Sequence, residues 1–250
     1  MPQPAAIYLM YHELKLEGRP LCQNEQGYAR YVVREPAFRQ QMSWLKSEGI
    51  RGLSVSEGLQ SGSGIVLTFD DGCETDLISA APILREMNCS ATFYITVGFL
   101  GRPGYMVEKQ IRELSEAGFE IGCHSMTHPY LDELNDQELR CEIVEAKHRL
   151  EDMTGRQVEH FSCPGGRWTP EVAEVARSAG YRSVTTSRVG VNYRASDLFQ
   201  LSRIAVMRDF QLPAFQAICR GQGIWQRQLR ERLQTTAHKV LGNAVYDRVR

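Results

Sequence analysis

The sequence has no long hydrophobic run: no stretch of its 250 residues approaches the ~20 apolar residues of a membrane span. It has no excess charge either. Twenty-nine Lys and Arg stand against 30 Asp and Glu, a formal net charge of −1, with no segregation between halves. That removes the electrostatic case for a nucleic-acid partner. No Cys-x-x-Cys pair occurs, and the cysteines are odd in number: Cys22, Cys73, Cys89, Cys123, Cys141, Cys163 and Cys219. This usage argues against a disulfide framework and predicts reduced, non-ligating thiols in a cytoplasmic protein. The first residues carry no basic segment, and Ile7-Tyr8-Leu9-Met10 is too short for the apolar part of an export signal. Repeats, linkers and low-complexity tracts are also missing, so residues 1–250 read as one domain.

What is present is alternation. Short apolar runs at residues 7–12, 65–70, 91–97, 120–124, 160–164, 182–186 and 201–206 read as strands, several apolar throughout as in a sheet buried on both faces. Amphipathic segments lie between them. Phe38, Met42 and Leu45 share one helical face. Leu139, Ile143, Ala146, Leu150 and Met153 form a longer stripe, opened by Asn135 with Glu138 three residues on and closed by Gly155. Thr169-Pro170 opens another helix, which Gly180 ends. Repeated strand–helix–strand order predicts a parallel sheet with right-handed crossovers. Seven such strands imply an α/β fold of the distorted (β/α)7-barrel type, with a doubly wound open sheet as the alternative. In both, chemistry collects at the carboxyl ends of the strands.

Two groups of residues fall at such ends. Thr68-Phe69-Asp70-Asp71-Gly72 places adjacent carboxylates at a strand exit, and His124-Ser125-Met126-Thr127-His128 places two imidazoles four residues apart at another. Neighbouring strand residues point to opposite faces. Both carboxylates therefore serve one site only if the chain turns there, which Gly72 permits. Two carboxylates so close repel unless one binds a cation. One carboxylate with two imidazoles can hold a divalent metal and leave a position open, while the spare carboxylate takes a proton from water.

These motifs resemble those of the polysaccharide deacetylases of carbohydrate esterase family 4, the NodB-homology fold, across residues 60–205. The first motif matches in full at Thr68 to Gly72, and the second at His124, Ser125 and His128. The third, usually Arg-x-Pro-x-Gly with an aromatic nearby, reads Ser162-Cys163-Pro164-Gly165-Gly166-Arg167-Trp168, with Ser162 in place of the arginine. The resemblance implies that Asp71, His124 and His128 bind the metal, usually zinc, and that Asp70 is the general base. It also implies that the Pro164, Gly165 and Gly166 backbone helps hold the oxyanion and that Trp168 walls the sugar pocket. The acid that protonates the leaving amine is in much of the family a late histidine, which is not found here. Leu9-Met10-Tyr11-His12 instead resembles the circularly permuted branch that includes poly-N-acetylglucosamine deacetylases, making His12 the acid. Arg203 is expected to end a strand on the same rim and to replace the missing arginine beside Asp70, against the alternative of a surface arginine. The fourth, aspartate-bearing motif is not recognisable; Asp197 and Asp209 are its only candidates. His148 reads as solvated, and His160 and His238 carry no role.

The resemblance thus implies a metal-dependent hydrolase that removes N-acetyl groups from a polysaccharide or its lipid-linked precursor, in exopolysaccharide biosynthesis. The alternatives are an O-acetyl esterase or cyclic-amide hydrolase on the same fold, or a catalytically silent carbohydrate-binding protein. Residues 223–250 read as an amphipathic helical extension, apolar at Ile224, Trp225, Leu229, Leu233, Val240 and Leu241 and basic at Arg227, Arg230, Arg232 and Lys239. It is expected to pack on the barrel, with contact to an anionic membrane surface or a pathway protein as the alternative.

Overall fold

In the computed structural model, residues 5–229 are described. All seven expected strands are present: β1 (Ala5–Tyr11), β2 (Gly64–Phe69), β3 (Thr92–Ile95), β4 (Glu120–Cys123), β5 (His160–Ser162), β6 (Ser183–Thr185) and β7 (Ile204–Ala205). β1 to β6 lie side by side in chain order, each parallel to the next. The seam is closed by residues 201–205. Leu201 bridges Thr185 in parallel, and β7 pairs with β1 at Leu9 and Met10. The sheet therefore curls into a distorted barrel, and the open doubly wound alternative is excluded. Two short strands extend the sheet: Gly52–Leu53 runs parallel to β2, and Asn192–Tyr193 runs antiparallel to β1.

Side-chain parity explains why this barrel carries a polar site. Tyr11, Phe69 and Phe93 are register partners on β1, β2 and β3, and their rings stack at 5.2 and 4.7 Å. Tyr11 and Phe69 also meet Phe38 edge-on, in the helix Glu35–Ser47. This aromatic ladder faces outward onto the helical layer. The residues that follow must then face inward: Phe69 is succeeded by Asp70, Cys123 by His124 and Phe161 by Ser162. Phe38, Met42 and Leu45 are fully buried, as their spacing implies.

The long stripe is also buried from Leu139 to Met153. Asn135 caps its helix through Gln137 N and Glu138 N, with Glu138 returning the bond to Asn135 N, and Gly155 ends it in the left-handed region (φ +64°). The helix is not uniform. A wide, π-type turn over Cys141–Glu145 separates the α-helical pieces Asp136–Arg140 and Ala146–Thr154. Thr169 caps the helix Pro170–Ser178 through Val172 N. Residues 224–229 are helical, and the remainder of the expected C-terminal extension, with His238, lies outside the described residues. No helix among the described residues is long and apolar enough to cross a membrane.

Candidate active site

The acidic pair sits where β2 ends. Asp70 continues the strand, its N–H donating to Tyr11 O at 3.0 Å. Asp71 itself then enters the left-handed region with φ +80°, followed by Gly72 at +83°. The turn that gathers both carboxylates thus begins one residue earlier than the glycine suggests. Four non-glycine residues among those described adopt positive φ: Asp71, Asn88, Ser125 and His128. Three of them are at this site. Such conformations cost of order 1–3 kcal/mol each and persist only where the surroundings enforce them.

The enforcement is visible in the histidine loop. Ser125 Oγ accepts from His128 N at 2.9 Å. Glu142, in the wide turn of the 136–154 helix, accepts from Met126 N, Thr127 N and Thr127 Oγ1 at 2.9, 2.8 and 2.6 Å. From the β3 side, Val97 N and Gly98 N donate to Ser125 O and Met126 O. His124 Nδ1 lies 2.8 Å from Ser162 O and so carries the proton, leaving Nε2 as the acceptor.

The two imidazoles converge on one atom. His124 Nε2 and His128 Nε2 are each 3.5 Å from Asp71 Oδ1. That oxygen is buried and has no hydrogen-bond partner. Burial pushes the Asp71 carboxyl up to about 6, opposed by His12 and reinforced by Asp70. Burial also drives His124 down to about 3 and lowers His128, so both imidazoles are neutral near pH 7. Neutral imidazoles around an orphaned carboxylate oxygen fit a divalent cation: the donor set suits zinc, and the orphaned lone pairs then have a partner.

Asp70 is in the opposite electrostatic situation. Burial alone would raise its pKa, but the Arg203 guanidinium outweighs burial and holds the carboxyl well below the usual range, with His124 adding to the effect. Arg203 Nη1 and Nη2 donate to Asp70 Oδ1 and Oδ2 at 2.7 and 2.8 Å. The guanidinium also donates to Thr68 Oγ1, Thr186 O and Ser162 Oγ, and it is fully buried above the Tyr94 ring. The surface-arginine alternative is excluded. The expected position also needs correction: Arg203 precedes β7 rather than ending a strand, because pairing with β1 begins only at Ile204. Ser162, at the family's arginine position, accepts from Arg203 Nη2 at 2.8 Å.

His12 follows β1 at the same rim, half-buried against Tyr31, with its Nδ1 buried and unpartnered. Pro164–Gly166 forms a tight turn in which Gly165 and Gly166 have φ of +59° and +70°. The Gly166 N–H is bonded to Cys163 O. Trp168 is half-buried, its indole N–H donating to Phe199 O at 2.6 Å, so its polar edge is fixed to the 198–200 turn. The exposed aromatic beside the glycine turn is Tyr130: a Cβ on Gly165 would come within 2.9 Å of its ring, and Arg167 lies over that ring at 4.6 Å. Its place directly after His128-Pro129 was the sequence signal for it; Glu142 had none. Asp197 caps the 198–200 turn, Asp209 is exposed, and His148 is exposed. His160 is fully buried between Ser56 Oγ and Ser183 Oγ, away from this rim.

Comparison with known proteins gives the family and the fold. The family model for polysaccharide deacetylase matches residues 58–184, about half of the chain. A putative polysaccharide deacetylase, YxkH, of Bacillus subtilis is 26% identical over 224 residues, covering 86% of this chain and 76% of that protein. A chitooligosaccharide deacetylase of Azorhizobium caulinodans is 34% identical over 130 residues, 51% of this chain and 60% of that one. In fold, the chain superposes on the Streptococcus pyogenes deacetylase PplD, solved with acetate, with a TM-score of 0.76 at 23% identity, covering 86% of this chain and 97% of that structure. The chain belongs to the polysaccharide deacetylase family, whose members are hydrolases of N-acetyl amide bonds.

Proposed function

We propose that this chain is a metal-dependent N-deacetylase acting on N-acetylated sugars of a polysaccharide or its lipid-linked precursor, in exopolysaccharide assembly in the cytoplasm. The observation that carries this reading is the buried, partnerless Asp71 Oδ1 between two imidazole Nε2 atoms, beside a carboxylate held ionised by a buried arginine. A cation held by Asp71, His124 and His128, zinc in this reading, would supply a Lewis acid that acidifies water and polarises the acetamide carbonyl. The other roles belong to the protein itself. Asp70 accepts a proton from the attacking water, and Arg203 keeps it ready to do so. His12 returns a proton to the leaving amine, which departs poorly as an anion. Its unpartnered Nδ1 supports that role. With Gly166 N–H engaged, the backbone donor for the oxyanion narrows to Gly165, the residue after Pro164. Tyr130 joins Trp168 as a candidate wall for the sugar. The named activity of the Azorhizobium relative supports an N-acetylglucosamine-type substrate. Seven free thiols support a reducing compartment.

Incubation with N-acetylglucosamine oligomers of increasing length should release acetate and leave a free amine on the sugar. Release from O-acetylated xylan alone would replace this reading with the ester one. His12→Ala should slow amide cleavage more than cleavage of an activated acetate ester, and equal losses on both would remove His12 as the acid.

A further inference from the structure

A second group of ligand-type side chains lies behind the first. The loop after β1 brings Glu13 and Cys22 against Cys73, two residues beyond Asp71. One donor atom from each of these three lies within 4.8 Å of the others. Glu13 and Cys73 are buried and Cys22 is half-buried, which leaves a path from solvent. The cluster is pre-positioned. Glu13 Oε2 accepts from Cys22 N at 3.0 Å and from Tyr28 Oη at 2.9 Å, and Tyr28 Oη is 3.3 Å from Cys73 Sγ.

Asp76 supplies an independent observation. It is fully buried, both of its carboxylate oxygens lack a partner, and its N–H donates to Cys73 O at 3.0 Å. Burial pushes its carboxyl up, and the nearby charges of Cys22, Asp71 and Glu13 reinforce that. Among the described residues no cation pairs with Glu13 or Asp76, and the neighbouring basic residues are engaged elsewhere: Lys15 with Arg19 O, and Arg19 with Glu74. Two buried carboxyls and two thiols without a cation are costly as anions. The two thiols and the Glu13 carboxylate are also donors suited to a borderline-soft cation.

We propose that Glu13, Cys22 and Cys73 form a second divalent-cation site selective for a borderline-soft ion such as zinc, with the buried Asp76 carboxyl close by. On binding, each thiol gives up its proton to solvent.

The test is titration of the chelator-stripped, reduced full chain with cobalt(II), followed by zinc competition. Two ions per chain should bind, one of them giving the intense near-ultraviolet thiolate-to-cobalt charge-transfer absorption. Cys22→Ser/Cys73→Ser should abolish that absorption and leave one ion. His128→Ala should leave the absorption and weaken the other ion, which separates this site from the proposed catalytic one. Glu13→Gln, which keeps both thiols, should weaken the thiolate-bound ion roughly tenfold or more. Absence of thiolate absorption in the reduced wild-type chain, or its persistence in the double variant, overturns the proposal.

Discussion

At the scale of single residues, the site works by giving two adjacent carboxylates opposite environments. Asp70 has a bidentate guanidinium, and Asp71 has two neutral imidazoles and an orphaned oxygen. The guanidinium keeps the first ionised, while the second calls for a metal cation. Asp70→Asn should therefore lower kcat by roughly 10²–10⁴-fold while zinc affinity changes little; unchanged acetate release would remove Asp70 as the base. Arg203→Met leaves the buried Asp70 charge without its partner, a change that costs about 3–5 kcal/mol when a buried pair is broken. Burial then acts with its main opponent gone and raises the Asp70 pKa. Its base form would be lost at higher pH than in the wild type, so the acid limb of the kcat/KM profile should move to higher pH. An unmoved acid limb would show that Arg203 does not govern Asp70. Both aspartates, both histidines and the position of Arg203 along the chain were legible in the sequence, because motif spacing and strand ends place them. The left-handed turn at Asp71 was not, because glycine next to it offered the less strained alternative.

At the scale of elements, the wide turn of the 136–154 helix does more than bury its stripe. It turns Glu142 inward, where the carboxylate takes three donors from the loop between the histidines. π-type turns of this kind are frequent at functional sites. Glu142→Ala should free that loop and weaken zinc binding by about 10–100-fold, as loss of a ligand-orienting partner does. Activity at saturating zinc should largely recover, since Glu142 acts through the loop alone. Measuring zinc affinity and kcat separately checks the split; a kcat that stays low at saturation would contradict it. The helix itself was readable from Asn135, Glu138, the apolar stripe and Gly155. Its wide turn was not, since Glu142 differs from any solvated helical glutamate only through contacts 15 and 16 residues away. The shortness of β7 was hidden for a related reason: Val206 continues the apolar run, yet it bonds Met10 O outside the strand proper.

At the scale of the whole molecule, the barrel converts distant sequence positions into neighbours. His12, Asp70 and His124 each directly follow a strand, Ser162 ends one with the glycine turn just beyond it, and the outward aromatic ladder beneath them fixes which way they face. The order of strands was deducible from the alternation of apolar and amphipathic segments. So was the barrel form, from the seven strands; the pairs that close it at residues 201–205 were not, because they are one bridge and two register pairs. A cation that binds only the folded chain must stabilise it. At a hundredfold excess over its Kd, zinc should add about 2.7 kcal/mol, raising Tm by roughly 5–10 °C for a chain of this size. His128→Ala should shrink that rise, and a Tm indifferent to zinc and chelator would argue against a resident ion. The most direct test of the central claim is acetate release from N-acetylglucosamine oligomers before and after chelation. Turnover should vanish in the stripped protein, return on adding zinc, and fail to return in Asp71→Asn. Acetate release that persists through chelation, or in Asp71→Asn, would contradict catalysis at the Asp71–His124–His128 centre.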